Sequence, residues 1–143
     1  MTEIEPLIKE AFENGKEFNL ITAGTSMLPM LRDRKDTVVL QEKKGKLKKY
    51  DLPLYKRADG SFVLHRIVGI GKDGYIMSGD NHDMKEYPVT DEQIIAVVKA
   101  YIKDNKRISV DSIGYKIYCR WHCNIGKLLR KIKSRIIARV VKK

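Results

Sequence analysis

Cysteine, proline and tryptophan are scarce in this chain: two cysteines, four prolines and one tryptophan among 143 residues. Two cysteines, Cys119 and Cys123, cannot frame a disulfide-rich secreted domain, so reduced thiols are the expected state. No stretch approaches the roughly 18 uncharged apolar residues of a membrane-spanning helix. The opening Met-Thr-Glu-Ile-Glu-Pro lacks the basic start and apolar run of a secretory leader. A cytoplasmic location, with any membrane association peripheral, is therefore expected. Acidic residues are missing altogether from Gly114 onward, where Lys116, Arg120, Lys127, Arg130, Lys131, Lys133, Arg135, Arg139, Lys142 and Lys143 stand unopposed. Most of the formal net charge of +11 lies in that segment, and the rest of the chain is nearly neutral.

What is present suits one domain with a core of its own plus an appendage. Ile4, Leu7, Ile8, Ala11 and Phe12 recur at three- and four-residue steps, which predicts a short amphipathic helix over about 3–15 with Gly15 as its stop. Short β-rich runs follow: Phe18 to Ala23, Thr37 to Gln41, Leu52 to Tyr55, Phe62 to Ile70, Tyr75 to Ser78 and Ile94 to Ile102. Turn clusters such as Ala58-Asp59-Gly60 and Lys72-Asp73-Gly74 separate them. The expectation is a mainly β protein whose compact antiparallel body spans about 18–102 within a domain of residues 1–113. The lysine-rich stretch from Glu42 to Lys49 reads as a solvated turn. From Gly114 the periodicity becomes helical again, with Ile117, Trp121, Ile125, Leu128, Leu129, Ile132, Ile136 and Val140 on one face of a basic amphipathic tail over 114–143.

Three short segments carry residues able to do chemistry together. In Ala23-Gly24-Thr25-Ser26-Met27-Leu28-Pro29, Gly24 and Pro29 constrain a turn that would present both the Ser26 hydroxyl and the Ser26 backbone N–H to one carbonyl. His65 interrupts the apolar run Phe62 to Ile70. It is either a satisfied, half-buried histidine or a base facing a pocket, and an imidazole of ordinary pKa near 6.5 suits a serine proton at neutral pH. Asp80 closes the run Tyr75 to Ser78 at a Gly-Asp-Asn turn, a rigid place for a carboxylate that orients a histidine.

Gly24-Thr25-Ser26-Met27-Leu28-Pro29 resembles the nucleophile box of type I signal peptidases and of the LexA-like self-cleaving repressors. Leu64-His65-Arg66-Ile67-Val68 is similar to the base-bearing strand of that superfamily, and Ser78-Gly79-Asp80-Asn81 to its Gly-Asp-Asn box. Asp51-Leu52-Pro53-Leu54-Tyr55-Lys56 resembles the intervening strand, with Tyr50 where glycine is usual. The likeness covers about Asn19 to Ala100. It implies a β fold of the signal-peptidase/LexA peptidase type. It also implies the histidine-base variant found in endoplasmic-reticulum and archaeal signal peptidases, without their transmembrane anchor.

Ser26 is then the nucleophile, His65 the general base and Asp80 the acid. Glu86, six residues further on, and Asp83 are the other possible acids. The Ser26 N–H and Thr25 would hold the oxyanion, Gly24 standing where some relatives place a serine. Met27, Leu28 and Leu64 would line a shallow pocket for small or apolar side chains. The implied function is serine endopeptidase action on a polypeptide or precursor, with no cofactor. The alternative is a non-enzymatic or self-cleaving regulatory module of the same fold that binds membrane or nucleic acid through its tail.

For that tail, an anionic membrane surface is the leading partner. Packing of its apolar stripe on the β body comes second. Nucleic acid comes last, because no recognition motif accompanies the charge. His122 with Cys119 and Cys123 supplies three potential metal ligands, one short of a structural zinc site, so no metal is expected.

Overall fold

The computed structural model describes residues 4–126, 128–129, 131–133 and 135. Helix α1 (Ile4–Glu13) comes first, and its stripe of Ile4, Ile8 and Phe12 packs on the main core. Nine strands follow: β1 (Phe18–Ile21), β2 (Thr37–Gln41), β3 (Pro53–Lys56), β4 (Phe62–Leu64), β5 (Arg66–Ile70), β6 (Tyr75–Ser78), β7 (Glu86–Val89), β8 (Ile94–Lys103) and β9 (Lys106–Ser109). Helix α2 (Ile113–Arg120) closes the order and runs on into a widened π turn over Trp121–Gly126. The protein is mainly β, and every strand pairing is antiparallel.

The larger sheet has the order β1-β2-β8-β3-β4. Its axis is β8, ten residues long, with β2 along one edge and β3 and β9 sharing the other. Successive side chains of a strand point to opposite faces, and both faces of this sheet are covered. Leu54, Ala96 and Val98 enter one core with Ile8, Met27, Leu31, Val38 and Leu40. Tyr55 and Val97 enter a second with Ile67, Tyr75, Met77 and Val89. That double burial explains why β3 and β8 read as nearly continuous apolar runs rather than as alternating ones. The smaller sheet is β5-β6-β7.

The long run expected over Phe62 to Ile70 is two strands belonging to different sheets. It breaks at His65, so the imidazole sits where the chain leaves the larger sheet for the smaller one. Strands β7 and β9 were not legible beforehand. Glu86-Tyr87-Pro88-Val89 carries a proline, which restricts it to a sheet edge, and Lys106-Arg107-Ile108-Ser109 is a charged edge.

The boundary expected between 113 and 114 is no break in packing. Ser112 Oγ caps α2 by accepting from the Tyr115 N–H, and Tyr115 and Cys119 lie buried in the main core. Packing by the expected aliphatic stripe is corrected as well. The face of α2 turned to the body carries Tyr115, Tyr118 and Cys119, whereas Ile117 and Trp121 are exposed. Ile136 and Val140 lie outside the described residues, as does the side chain of Ile125.

Candidate active site

The turn after β1 is built by local polar contacts. Gly24 takes a φ of +92°, a region that favours glycine, and its N–H donates to Asp33 Oδ1 at 2.7 Å. Further along, the buried Asp36 carboxylate accepts from the Arg32 N–H, Nε and Nη2, which fixes the return of the loop into β2. Between these anchors Ser26 is half-buried.

The Gly-Asp-Asn turn after β6 clamps Ser26 from the other side. The Asn81 N–H donates to the Ser26 carbonyl at 2.8 Å, and Asn81 Nδ2 donates to the Thr25 carbonyl at 3.2 Å. Gly79 is the wedge between the Ser26 turn and His65. A Cβ on Gly79 would stand 2.6 Å from the Ser26 carbonyl oxygen and 3.2 Å from His65 Nε2. Only a residue without a side chain allows the three segments to close this far.

One cleft of about 660 Å³ is lined by Ser26, Met27 and Leu31 from the first segment and by Phe62, Leu64 and His65 from β4 and its end. His82, Met84 and Glu86 line it from the loop leading into β7 and from β7 itself. Among the described residues, the Ser26 hydroxyl makes no hydrogen bond. Compared with known proteins, the chain matches no family model, no curated protein and no solved structure.

His65 is oriented by a chain of groups that sequence reasoning reached only at its far end. The Tyr55 hydroxyl donates to Glu86 Oε2 at 2.7 Å and lies 3.4 Å from His65 Nδ1. Its one proton is engaged by the carboxylate, so the long contact to Nδ1 can be a hydrogen bond only if Nδ1 carries the proton. Nε2, which faces Gly79 and the Ser26 turn, is then the basic nitrogen. Arg57 holds the same carboxylate, Nε donating to both oxygens and Nη2 to Oε2, at 3.1 to 3.3 Å.

Burial first, and then the Arg57 charge, push the imidazole down to about 4, with Glu86 pulling the other way. Burial also works to raise the Glu86 carboxyl, but the hydrogen bonds from Arg57 and Tyr55 outweigh it and leave it below its ordinary value. Burial and the bond to Glu86 hold the Tyr55 phenol well above its usual range.

Asp80 is placed elsewhere than expected. Both its oxygens bind the buried Arg66, Oδ1 to Nε at 2.8 Å and Oδ2 to Nη2 at 2.9 Å, and Oδ2 also accepts from the Tyr118 hydroxyl at 2.8 Å. Burial opposes the Arg66 charge, yet the bonds to Asp80 hold its pKa well above the normal value. Arg66 Nη1 further donates to the Tyr50 carbonyl and the Tyr115 hydroxyl. The expected orientation of His65 by Asp80 therefore gives way to a structural ion pair. The reason is geometric: His65 and Arg66 are consecutive and project to different sides, and Asp80 lies on the Arg66 side.

Asp83 is exposed and faces a different cleft, shared with Lys49, Lys85, Cys123 and Leu128. Of the expected pocket residues, Met27 and Leu64 line the main cleft and Leu28 is not among its lining residues. Thr25 is exposed, with its carbonyl engaged by Leu28 and Asn81. Tyr55, Arg57 and Arg66 were missed. An arginine in an apolar strand was the signal available for Arg66, since such a charge must find a carboxylate once buried. Among the described residues, no group of three His, Cys, Asp or Glu side chains is arranged to hold a metal ion.

Proposed function

We propose that the chain is a serine endopeptidase of the signal-peptidase/LexA-like kind, acting on a polypeptide segment laid in the cleft beside Ser26. The observation that carries the reading is the meeting of the Ser26 turn with His65 Nε2 across Gly79, in one cleft, with Nδ1 on the side of the Tyr55 hydroxyl and Glu86. A second observation supports the resemblance. Tyr50, which stands where the superfamily usually has glycine, takes a φ of +79°, the conformation in which glycine is favoured.

In the reaction, His65 Nε2 accepts the Ser26 proton as Oγ bonds to the scissile carbonyl carbon. The imidazolium returns that proton to the leaving amine, which departs and leaves an acyl-enzyme. Water, deprotonated by Nε2, then releases the carboxylic acid and regenerates Ser26. The oxyanion falls to the Ser26 N–H, which makes no hydrogen bond among the described residues. Glu86, acting through the Tyr55 hydroxyl, takes the place of an acid bonded directly to histidine, and favours the imidazolium at a distance. The apolar lining from Met27, Leu31, Phe62, Leu64 and Met84 suits small or apolar side chains next to the cut.

The test is covalent trapping. Full-length protein is incubated with a fluorophosphonate or β-lactam serine probe and with an apolar model precursor, beside Ser26→Ala and His65→Ala. An adduct mapped to Ser26, with cleavage lost in both variants, is the expected result. Labelling that persists in Ser26→Ala, or a folded wild type that neither labels nor cleaves, would overturn the peptidase reading. Cleavage of the chain itself in wild type alone would assign the self-processing variant of the same chemistry.

A further inference from the structure

Among the described residues nothing covers the aliphatic face of α2, while its other face is engaged with the body. Tyr115 and Cys119 are buried in the core, the Tyr118 hydroxyl donates to Asp80, and a His122 ring nitrogen bonds the Asp80 carbonyl at 2.7 Å. These contacts set the rotation of the helix on the body. They turn Ile113, Ile117 and Trp121, spaced at successive steps of four, toward solvent at 77%, 62% and 57% exposure. Leu128, Leu129 and Ile132 continue the exposed apolar surface further along. Six large apolar residues open to water in one short segment form the kind of patch that marks an interaction surface.

Charge indicates what covers it. Lys116 and Arg120 are exposed beside the stripe, and Lys131, Lys133 and Arg135 are exposed beyond it. Lys49 and Lys85 of the body share a cleft with Leu128 and Lys131, with Asp83 the single acid there. From Gly114 to the end the sequence has no acid to pair with these cations. A second copy of the chain would bring like charge against like. A nucleic-acid backbone would answer the cations but leave the aliphatic stripe in water. A surface with anionic headgroups above an apolar interior answers both. Among the described residues no helix is long and apolar enough to cross a membrane, which leaves the plane of the interface for this one.

We propose that the exposed face of α2, with Leu128, Leu129 and Ile132 beyond it, docks on an anionic phospholipid bilayer, with Ile113, Ile117 and Trp121 in the interface and Lys116, Arg120, Lys131, Lys133 and Arg135 at the headgroups. The surface is separate from the Ser26 cleft and does not depend on the peptidase reading.

Trp121 is the only tryptophan, so its emission reports this face alone. Full-length protein is mixed with phosphatidylcholine vesicles with and without phosphatidylglycerol, and both emission and flotation are followed. The expected result is a blue shift and flotation with the phosphatidylglycerol vesicles only, largely reversed at about 1 M salt. Ile113→Glu with Ile117→Glu should abolish the shift. Lys116→Glu with Arg120→Glu should weaken partitioning by about tenfold or more. All four side chains are exposed, so far-UV circular dichroism should be unchanged, and the two variant pairs check each other. An equal response to both vesicle types, or none, would overturn the proposal. So would shielding of Trp121 by self-association in vesicle-free buffer, or binding to duplex DNA or RNA in preference to vesicles.

Discussion

His65 is held neutral by its surroundings, and that sets two pH dependences. With the imidazole pushed down to about 4 by burial and by Arg57, the basic form persists well below the ordinary histidine range. The acid limb of Ser26 labelling is therefore expected near pH 4 rather than 6.5, and a limb near 6.5 would show that the imidazole is not desolvated as the structure has it. The same group affects folding. The unfolded chain binds a proton to this histidine as pH falls through about 6.5, while the folded chain resists until about 4, so stability contributed by neutral His65 is lost across that window on acidification. Urea midpoints of wild type and His65→Gln, compared from pH 7 to 4, should converge as pH falls.

Tyr55→Phe removes the hydroxyl between His65 and Glu86 and should lower kcat by roughly tenfold to a hundredfold with little change in KM. Asp80→Asn should behave differently, because it leaves Arg66 buried with its charge uncompensated. Urea unfolding should show about 3–5 kcal/mol of destabilisation, and the acid limb of the remaining labelling should move, if at all, only to lower pH, since the Asp80 charge is the last of the influences that raise His65.

Elements bring these residues together through their ends rather than their lengths. Ser26 follows β1, His65 lies at the crossing from β4 to β5, and Gly79 to Asn81 follow β6. The Ser78 hydroxyl, at the end of β6, donates toward the Gly79, His82 and Met84 carbonyls, which lie 3.1 to 3.3 Å from Oγ, and ties that loop back on itself. The closeness of the three ends depends on Gly79. Gly79→Ala places a methyl 2.6 Å from the Ser26 carbonyl, where backbone must shift. Probe labelling of Ser26 should fall by about a hundredfold, against a loss in unfolding free energy of only about 1–3 kcal/mol. Wild-type labelling in Gly79→Ala would mean that the nucleophile turn is not gripped as described.

At the scale of the whole molecule, the β body and the start of the basic segment are one folding unit. Tyr115 is buried and its hydroxyl accepts from Arg66 Nη1 at 2.7 Å, while Cys119 Sγ lies 3.0 Å from the same nitrogen. Removal of residues 114–143 would open the main core and strip contacts from the Arg66–Asp80 pair, so truncation there is expected to destabilise the body itself. Trp121 fluorescence and far-UV circular dichroism should accordingly give one coincident urea transition. Two separated midpoints would show that α2 is an appendage.

Local patterning was enough to determine the β character, the first helix, and the limits of β2 and β6, because hydrophobic period and turn residues act over a few positions. The sequence also singled out Ser26 and His65, residue types whose chemistry is recognisable in place, and named Asp80 as the acid with Glu86 and Asp83 as alternatives. It could not show that the run from Phe62 breaks at His65, since both halves are apolar and the break exists only because two sheets diverge there. Nor could it choose a partner for Asp80. Two basic residues stood side by side at 65 and 66, and the choice between them depended on which side of the chain β6 delivers the carboxylate. The role of Tyr55 was hidden for a similar reason: a tyrosine in an apolar strand looks like core, and it is core. Its ring is buried in the second cluster, and only the packing of β3 against β7 places its hydroxyl between an imidazole and a carboxylate.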